Sequence, residues 1–299
     1  MPGNCVVIGD LMMDVTARIE SDIAYGSDTP ALVSLQPGGS AANTAAWMAA
    51  TDATVTLIGC VGDDAFGHAL RANLVGLGVD ARLDVVAGHG TGTCVILVDH
   101  RRERTMFPDP GANSALDADR VVAALDAAHG EGRLDHLHLS GYALLNPGSR
   151  AAGLAALEHA RTLGATVSLD PASAVPLAAN LALVRGLLPD LDVLVANEAE
   201  AEVLSGGVGT QALTSLAREV PLVVVKRGAL GVSAVSDGSP VERPALAVDV
   251  VDTTGAGDAF AAGFLPAWLS GATLVEAVDA GQELAALAVG RVGASPMVA

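Results

Sequence analysis

Short apolar runs ending in a polar residue or a glycine recur along the chain and read as buried strands. They are NCVVIGD (4–10), ATVTLIGCVG (53–62), LDHLHLSG (134–141), ATVSLD (165–170), LDVLVAN (191–197) and PLVVVKRG (221–228). Between them lie Ala- and Leu-rich segments of helical character, at 41–50, 65–77, 149–163 and 198–204. That alternation predicts an α/β fold with a doubly wound, mainly parallel sheet flanked by helices. Residues 14–36 and 91–108 break the rhythm, because apolar and polar positions alternate there without an intervening helix. They are expected to form a small β-strand lid over the C-terminal edge of the sheet. No internal repeat, low-complexity linker or charge block divides the sequence, so residues 1–299 are expected to form a single domain.

Composition narrows the class. With 299 residues and 51% hydrophobic content the chain can bury a full core. Its formal net charge of −18 disfavours nucleic acid as a partner, since phosphate-backbone binding relies on clustered Lys and Arg. The one basic cluster, Arg101, Arg102 and Arg104, is short and flanked by acids. The first residues lack a basic n-region and the later apolar stretches are interrupted before they could span a bilayer, so a cytoplasmic protein without membrane partners is expected. Cys5, Cys60 and Cys94 are far apart and without CxxC spacing, which points to reduced, buried thiols rather than to disulfides or zinc.

The most informative chemistry lies in DTTGAGDAFAAGF, Asp252 to Phe264. Gly255 and Gly257 carry no side chains, so the N–H groups of Gly255, Ala256, Gly257 and Asp258 can face an anion at a helix start, where the dipole also favours negative charge. A carboxylate at that mouth would repel a resting phosphate. Asp258 therefore reads as a base for a nucleophile attacking phosphorus, or alternatively as a simple N-cap. Lys226 is the only lysine and is not part of a G-x-x-x-x-G-K-[ST] loop, and no G-x-G-x-x-G follows a strand. Phosphate chemistry is thus expected to depend on backbone amides, Arg and metal ions. Asn197 and Glu200, one helical turn apart after a strand, suit water-mediated contact with Mg²⁺ and phosphates, or equally an N-terminal capping pair. The turn from Lys226 to Gly231 can expose the backbone of Gly228 and Gly231 to a nucleotide, or serve only as a tight turn. His136 and His138 share a strand face and read as structural, and Asp63 and Asp64 as capping residues.

PGGSAANTAAW (37–47), VGDDAFGHAL (61–70), NEAE (197–200), KRGALGV (226–232) and DTTGAGDAF occur in an order and spacing that resemble the ribokinase-like, or PfkB-type, carbohydrate kinases. The resemblance runs from Gly9 to about Pro296 and rests chiefly on the two glycine motifs at its ends. It implies an ATP- and Mg²⁺-dependent transfer of the γ-phosphate to a hydroxyl, a primary CH₂OH, of a small sugar, with Asp258 as base. It implies further that Asp14, Gly39, Ser40 and Asn43 hold the sugar beneath the lid, and that the lid pairs with a second subunit in a homodimer. Ser40 stands where ribokinases proper commonly carry lysine, which argues against ribose. AVGRVGASP (288–296) resembles the segment whose carbonyls, here of Ala288, Arg291 and Gly293, would enclose K⁺ together with Asp252 and Thr254. Two rival readings stay open: a nucleoside kinase of the same superfamily, and a sugar- or nucleotide-binding regulator without turnover.

Overall fold

The computed structural model describes residues 3–51, 53–101 and 103–296; Arg102 of the basic cluster lies outside them. In chain order the strands are β1 (Cys5–Ile8), β2 (Met12–Arg18), β3 (Leu32–Gly38), β4 (Val55–Gly62), β5 (Asp80–Val86), β6 (Thr93–Val98) and β7 (Arg104–Asp109). They continue with β8 (His136–Ser140), β9 (Thr166–Asp170), β10 (Val193–Asn197), β11 (Leu222–Lys226), β12 (Val232–Ser236) and β13 (Ser239–Arg243). The helices are α1 (Ser40–Ala49), α2 (Ala65–Gly76), α3 (Ala118–Gly130), α4 (Tyr142–Leu145), α5 (Arg150–Thr162) and α6 (Ala174–Ala179). After them come α7 (Leu181–Leu187), α8 (Glu198–Ser205), α9 (Gly209–Leu216), α10 (Ala256–Leu269) and α11 (Leu274–Val289).

Nine strands form one sheet in the order β13-β12-β11-β10-β9-β8-β1-β4-β5. Strand β1 lies between β8 and β4 and runs parallel to both, so the winding direction changes beside it. Period-two alternation feeds both faces of the sheet. Val6 and Ile8 share a core with α3 to α9, while Cys5 and Val7 share one with α1, α2, α10 and α11. Only the β11-β12-β13 edge is antiparallel, so Lys226 to Gly231 is a strand-to-strand turn. The four remaining strands make a second sheet, β3-β2-β6-β7, which is the expected lid. Strand β2 starts at Met12 and β3 ends at Gly38, slightly outside the bounds read from the sequence.

His136 and His138 are buried and bonded to hydroxyls. His136 pairs with Thr166 and Ser168 at 2.8 and 2.7 Å, and His138 with Ser168 at 2.8 Å. Burial holds their pKa values down at about 3 and about 4, so both are neutral. Asp64 caps α2 through the Gly67 N–H at 2.8 Å, and all three cysteines are free and buried. No helix among the described residues is long and apolar enough to cross a membrane.

Candidate active site

Polar side chains at the C-terminal ends of parallel strands converge on one cleft, as the winding of an open α/β sheet requires. Asp10 follows β1, Asp170 ends β9, Asn197 ends β10 and Lys226 ends β11. All four line a cavity of about 1030 Å³ that also reaches Asp14, Gly39, Ser40, Asn43, Glu200 and the 253–258 loop. Apolar side chains of the lid, Met12, Met106 and Pro108, line it together with Leu116 and Leu145 from outside the lid.

Helix α10 presents its N-terminus to this cavity. Gly255 is the N-cap with φ +74°, and a Cβ there would come 2.5 Å from the Ala294 carbonyl oxygen, so only glycine fits. The Ala256 N–H donates to Thr253 O at 3.4 Å, which leaves the amides of Gly257 and Asp258 as the ones best placed for an incoming anion. A Cβ on Gly257 would sit 2.9 Å from Lys226 Nζ. The only lysine of the chain therefore stands at the anion hole, which corrects the expectation that amides, Arg and metal alone serve phosphate here. Lys226 reaches across the end of β10 to donate to Asp170 Oδ2 at 2.7 Å. Burial works against its charge, but Asp170, Glu200 and Asp258 outweigh it and hold the ammonium above its ordinary pKa.

Asp258 does not cap α10 with its own side chain, since α10 has no side-chain cap. Its carboxylate accepts from Ser40 Oγ at 2.9 Å and from Asn43 Nδ2 at 2.9 Å. Enclosure by protein and the nearby charge of Asp170 raise its pKa to about 7, against the lowering influence of Asn43, Ser40 and Lys226. Ser40 and Asn43, expected to touch the sugar, are thus first of all the holders of Asp258. Asn43 retains a second capacity, because its Oδ1 is buried without a partner among the described residues. Gly39, at φ +96°, lets the turn into α1 pass close over the β1–β2 loop, where a Cβ would meet Asp10 O at 2.6 Å.

Asp14 faces the cavity with no side-chain hydrogen bond among the described residues, and burial followed by the charges of Asp10 and Asp252 raises its pKa to about 7. Asp10, not singled out in the sequence, accepts from the Ser40 N–H at 2.9 Å, the Ala41 N–H at 3.4 Å and Ser140 Oγ at 2.9 Å, tying α1 to β1 and β8. Asp170 was equally overlooked, although an acid at a strand end is the signal such sheets give. Asn197 and Glu200 form a capping box: Asn197 N–H donates to Glu200 Oε2 at 2.8 Å and Glu200 N–H to Asn197 Oδ1 at 2.9 Å. The capping alternative is realised, yet both residues line the cavity, and burial with Asp170 raises the Glu200 carboxyl above its ordinary range.

Gly228 and Gly231 do not line this cavity. They shape the β11–β12 turn instead, and a Cβ on Gly231 would lie 2.0 Å from Arg243 O. The proposed cation site is likewise different from expectation. Asp252 Oδ1 accepts from the Thr254 N–H at 2.9 Å, from Thr254 Oγ1 at 2.6 Å and from Arg104 Nη1 at 2.8 Å, and Oδ2 accepts from the Gly293 N–H at 3.2 Å. Ala288 O takes the amides of Gly290 and Arg291, and the Arg291 guanidinium lies over the Trp47 ring at 5.3 Å. Asp252 and the Ala288 carbonyl, two of the expected cation ligands, are thus engaged by donors, Asp252 by the Arg104 guanidinium among them. Carboxylate oxygens of Glu200, Asp170 and Asp258 border the cavity and are the donor type Mg²⁺ takes alongside water and phosphate, although each also accepts a hydrogen bond from a neighbouring residue.

A family model described as "pfkB family carbohydrate kinase" matches residues 3–299. An ATP-dependent ribose-1-phosphate kinase of Halopiger xanaduensis is 32% identical over 293 residues, 96% of this chain and 92% of that protein. A fructokinase of Escherichia coli is 33% identical, covering 87% of this chain and 82% of the enzyme. Among solved structures, the adenosine kinase from Sinorhizobium meliloti superposes with a TM-score of 0.88 at 27% identity, over 99% of this chain and 96% of that one.

Proposed function

The chain belongs to the pfkB family of carbohydrate kinases, a sugar or nucleoside kinase of the ribokinase superfamily, and we propose that it transfers the γ-phosphate of ATP to a primary hydroxyl of a neutral acceptor, with Asp258 as the base. The observation that carries this reading is the setting of Asp258. It lies at a helix mouth with glycine-exposed amides, beside a lysine, held by Ser40 and Asn43, with a pKa near neutrality. A proton acceptor poised near working pH and aimed at an anion hole is what hydroxyl attack on phosphorus needs.

In this reading the acceptor enters beneath the lid. Asp14 accepts hydrogen bonds from its hydroxyls, and Asn43 Oδ1 accepts another, which satisfies the half-buried carboxylate and the buried amide oxygen. The reacting hydroxyl gives its proton to Asp258 as its oxygen attacks the γ-phosphorus. The amides of Gly257 and Asp258 and the Lys226 ammonium stabilise the charge on the phosphoryl group in transit. Glu200 and Asn197 border the nucleotide end, where Glu200 would hold Mg²⁺ through water and the ion would neutralise phosphate charge.

Among the described residues the cavity wall carries Asp10, Asp14, Asp170, Glu200 and Asp258 against one cationic side chain, Lys226. That balance repels a sugar phosphate and favours an uncharged acceptor. The apolar part of the cavity wall supports a second reading, a nucleoside whose base packs on Met12, Met106 and Leu116 while its ribose meets Asp14. Lid edges β3 and β7 expose Leu32, Val33, Leu35, Met106 and Phe107, which supports a homodimer formed through the lid.

An ADP-release assay over neutral sugars, nucleosides and sugar phosphates tests the proposal. Turnover with a neutral sugar or nucleoside is expected. Absence of turnover across the panel would leave the silent regulator as the answer, and preference for a phosphorylated sugar would overturn the electrostatic argument.

A further inference from the structure

Arg104 begins lid strand β7, yet its guanidinium ends on the loop that builds the anion hole, 148 positions away. Nη1 donates to Asp252 Oδ1 at 2.8 Å and also to Thr254 Oγ1, and Nη2 donates to Thr253 Oγ1 at 2.8 Å. One planar fork thus holds three consecutive residues, immediately before Gly255 turns the chain into α10. Asp252 completes the brace by accepting the Gly293 N–H, and Trp47 Nε1 fixes the same C-terminal segment through Ala294 O at 2.8 Å.

A monovalent ion would need converging oxygen lone pairs free of protons. Around Asp252 those lone pairs already receive N–H and O–H groups, and the positive charge present is the guanidinium's own. We propose that Arg104 is the built-in cation of the anion-hole loop, so that turnover needs no monovalent metal ion and lid position is coupled to order at the helix mouth. The lid strand carries the charge that orders residues 252–254. When the lid lifts, Asp252 loses its counter-ion and the loop before α10 loosens; when it closes over an acceptor, the anion hole is set. Phosphoryl transfer is thereby tied to an occupied, covered site. The activity part of this inference rests on the kinase reading, whereas the structural part does not.

Two measurements decide it. Wild-type kcat should be the same in potassium, sodium and choline chloride at equal ionic strength. Arg104→Gln should lose about 10- to 100-fold in kcat, the scale of a slightly misplaced catalytic group, with partial recovery on adding guanidinium ion and a smaller loss in Arg104→Lys. Hydrogen exchange gives the readout independent of turnover: amides of residues 252–258 should exchange faster in Arg104→Gln while the strands of the main sheet stay protected. Activation of the wild type several-fold by K⁺ over choline would overturn the proposal, as would an Arg104→Gln protein with unchanged exchange at 252–258. If the wild type phosphorylates nothing, the kinase reading fails and the exchange experiment still decides the role of Arg104.

Discussion

Asn43 and Asp258 stand 215 positions apart, and the amide nitrogen of one donates to the carboxylate of the other at 2.9 Å while the amide oxygen is buried with no partner among the described residues. One side chain therefore orients the base and offers a free acceptor to whatever enters the cavity. Replacing Asp258 by Asn removes the proton acceptor at almost no change in volume. Phosphoryl transfer should fall by roughly 10²-fold or more in kcat, with nucleotide and acceptor affinities nearly preserved. Calorimetric binding alongside steady-state kinetics separates the two, and a near wild-type kcat would remove Asp258 from the mechanism.

The pH dependence follows from the raised carboxyls. Asp258 must be ionised to accept a proton, so kcat should climb as pH rises through about 7. Ser40 Oγ hydrogen-bonds the charged form and lowers this pKa, so Ser40→Ala should move the midpoint upward. Stability should run the other way. Asp14 and Asp258 have folded pKa values of about 7, above the roughly 3.9 of an unfolded Asp. Their contribution is complete below the unfolded value and is lost as pH rises through 7. Thermal melting of the ligand-free protein should be higher at pH 6 than at pH 8, and the opposite order would contradict the burial assigned to these groups.

Lys226 and Asp170 give a pair of predictions of opposite sign. Asp170 raises the pKa of Asp258 and Lys226 lowers it. Asp170→Asn should accordingly shift the kcat profile to lower pH, and Lys226→Met should shift it to higher pH. Lys226→Met should also lose about 10²- to 10³-fold in kcat, as when one anion-hole donor is removed, with little change in acceptor KM. Equal shifts in the same direction for both variants would mean that neither charge acts on Asp258.

Much of this arrangement is legible in the sequence itself. The strand runs and the two glycine motifs carry local signals, namely period, Gly placement and capping chemistry, and the strands form where those signals place them, with the lid strands reaching slightly past 14–36 and 91–108. What the sequence could not show is which side chains meet across the fold. Ser40 and Asn43 look like substrate contacts from their motif, and only the packing of α1 against α10 turns them toward Asp258. Arg104 belongs to a short basic run that seemed unremarkable, because its partner Asp252 is distant in the chain. Lys226 fits no phosphate-loop pattern, since its place at the anion hole depends on reaching past β10 to Asp170. Asp10 and Asp170 were readable in principle from their strand ends, but nothing local distinguishes them from turn residues.

The last prediction concerns the acceptor. Asp14 faces the cavity without a hydrogen-bond partner among the described residues, against Gly38, where a Cβ would lie 2.4 Å from its Oδ2. A carboxylate so placed can accept two hydroxyl hydrogen bonds, and an acceptor lacking them would leave a half-buried charge unpaired. The true acceptor should therefore carry adjacent hydroxyls, and Asp14→Ala should raise its KM about 10²-fold or more while leaving the KM for ATP nearly unchanged. Deoxy analogues sharpen the test: removing either of the paired hydroxyls should cost the wild type heavily and the Asp14→Ala variant little, because the group they satisfy is then gone. If the variant loses affinity for ATP instead, or discriminates deoxy analogues as the wild type does, Asp14 does not face the acceptor.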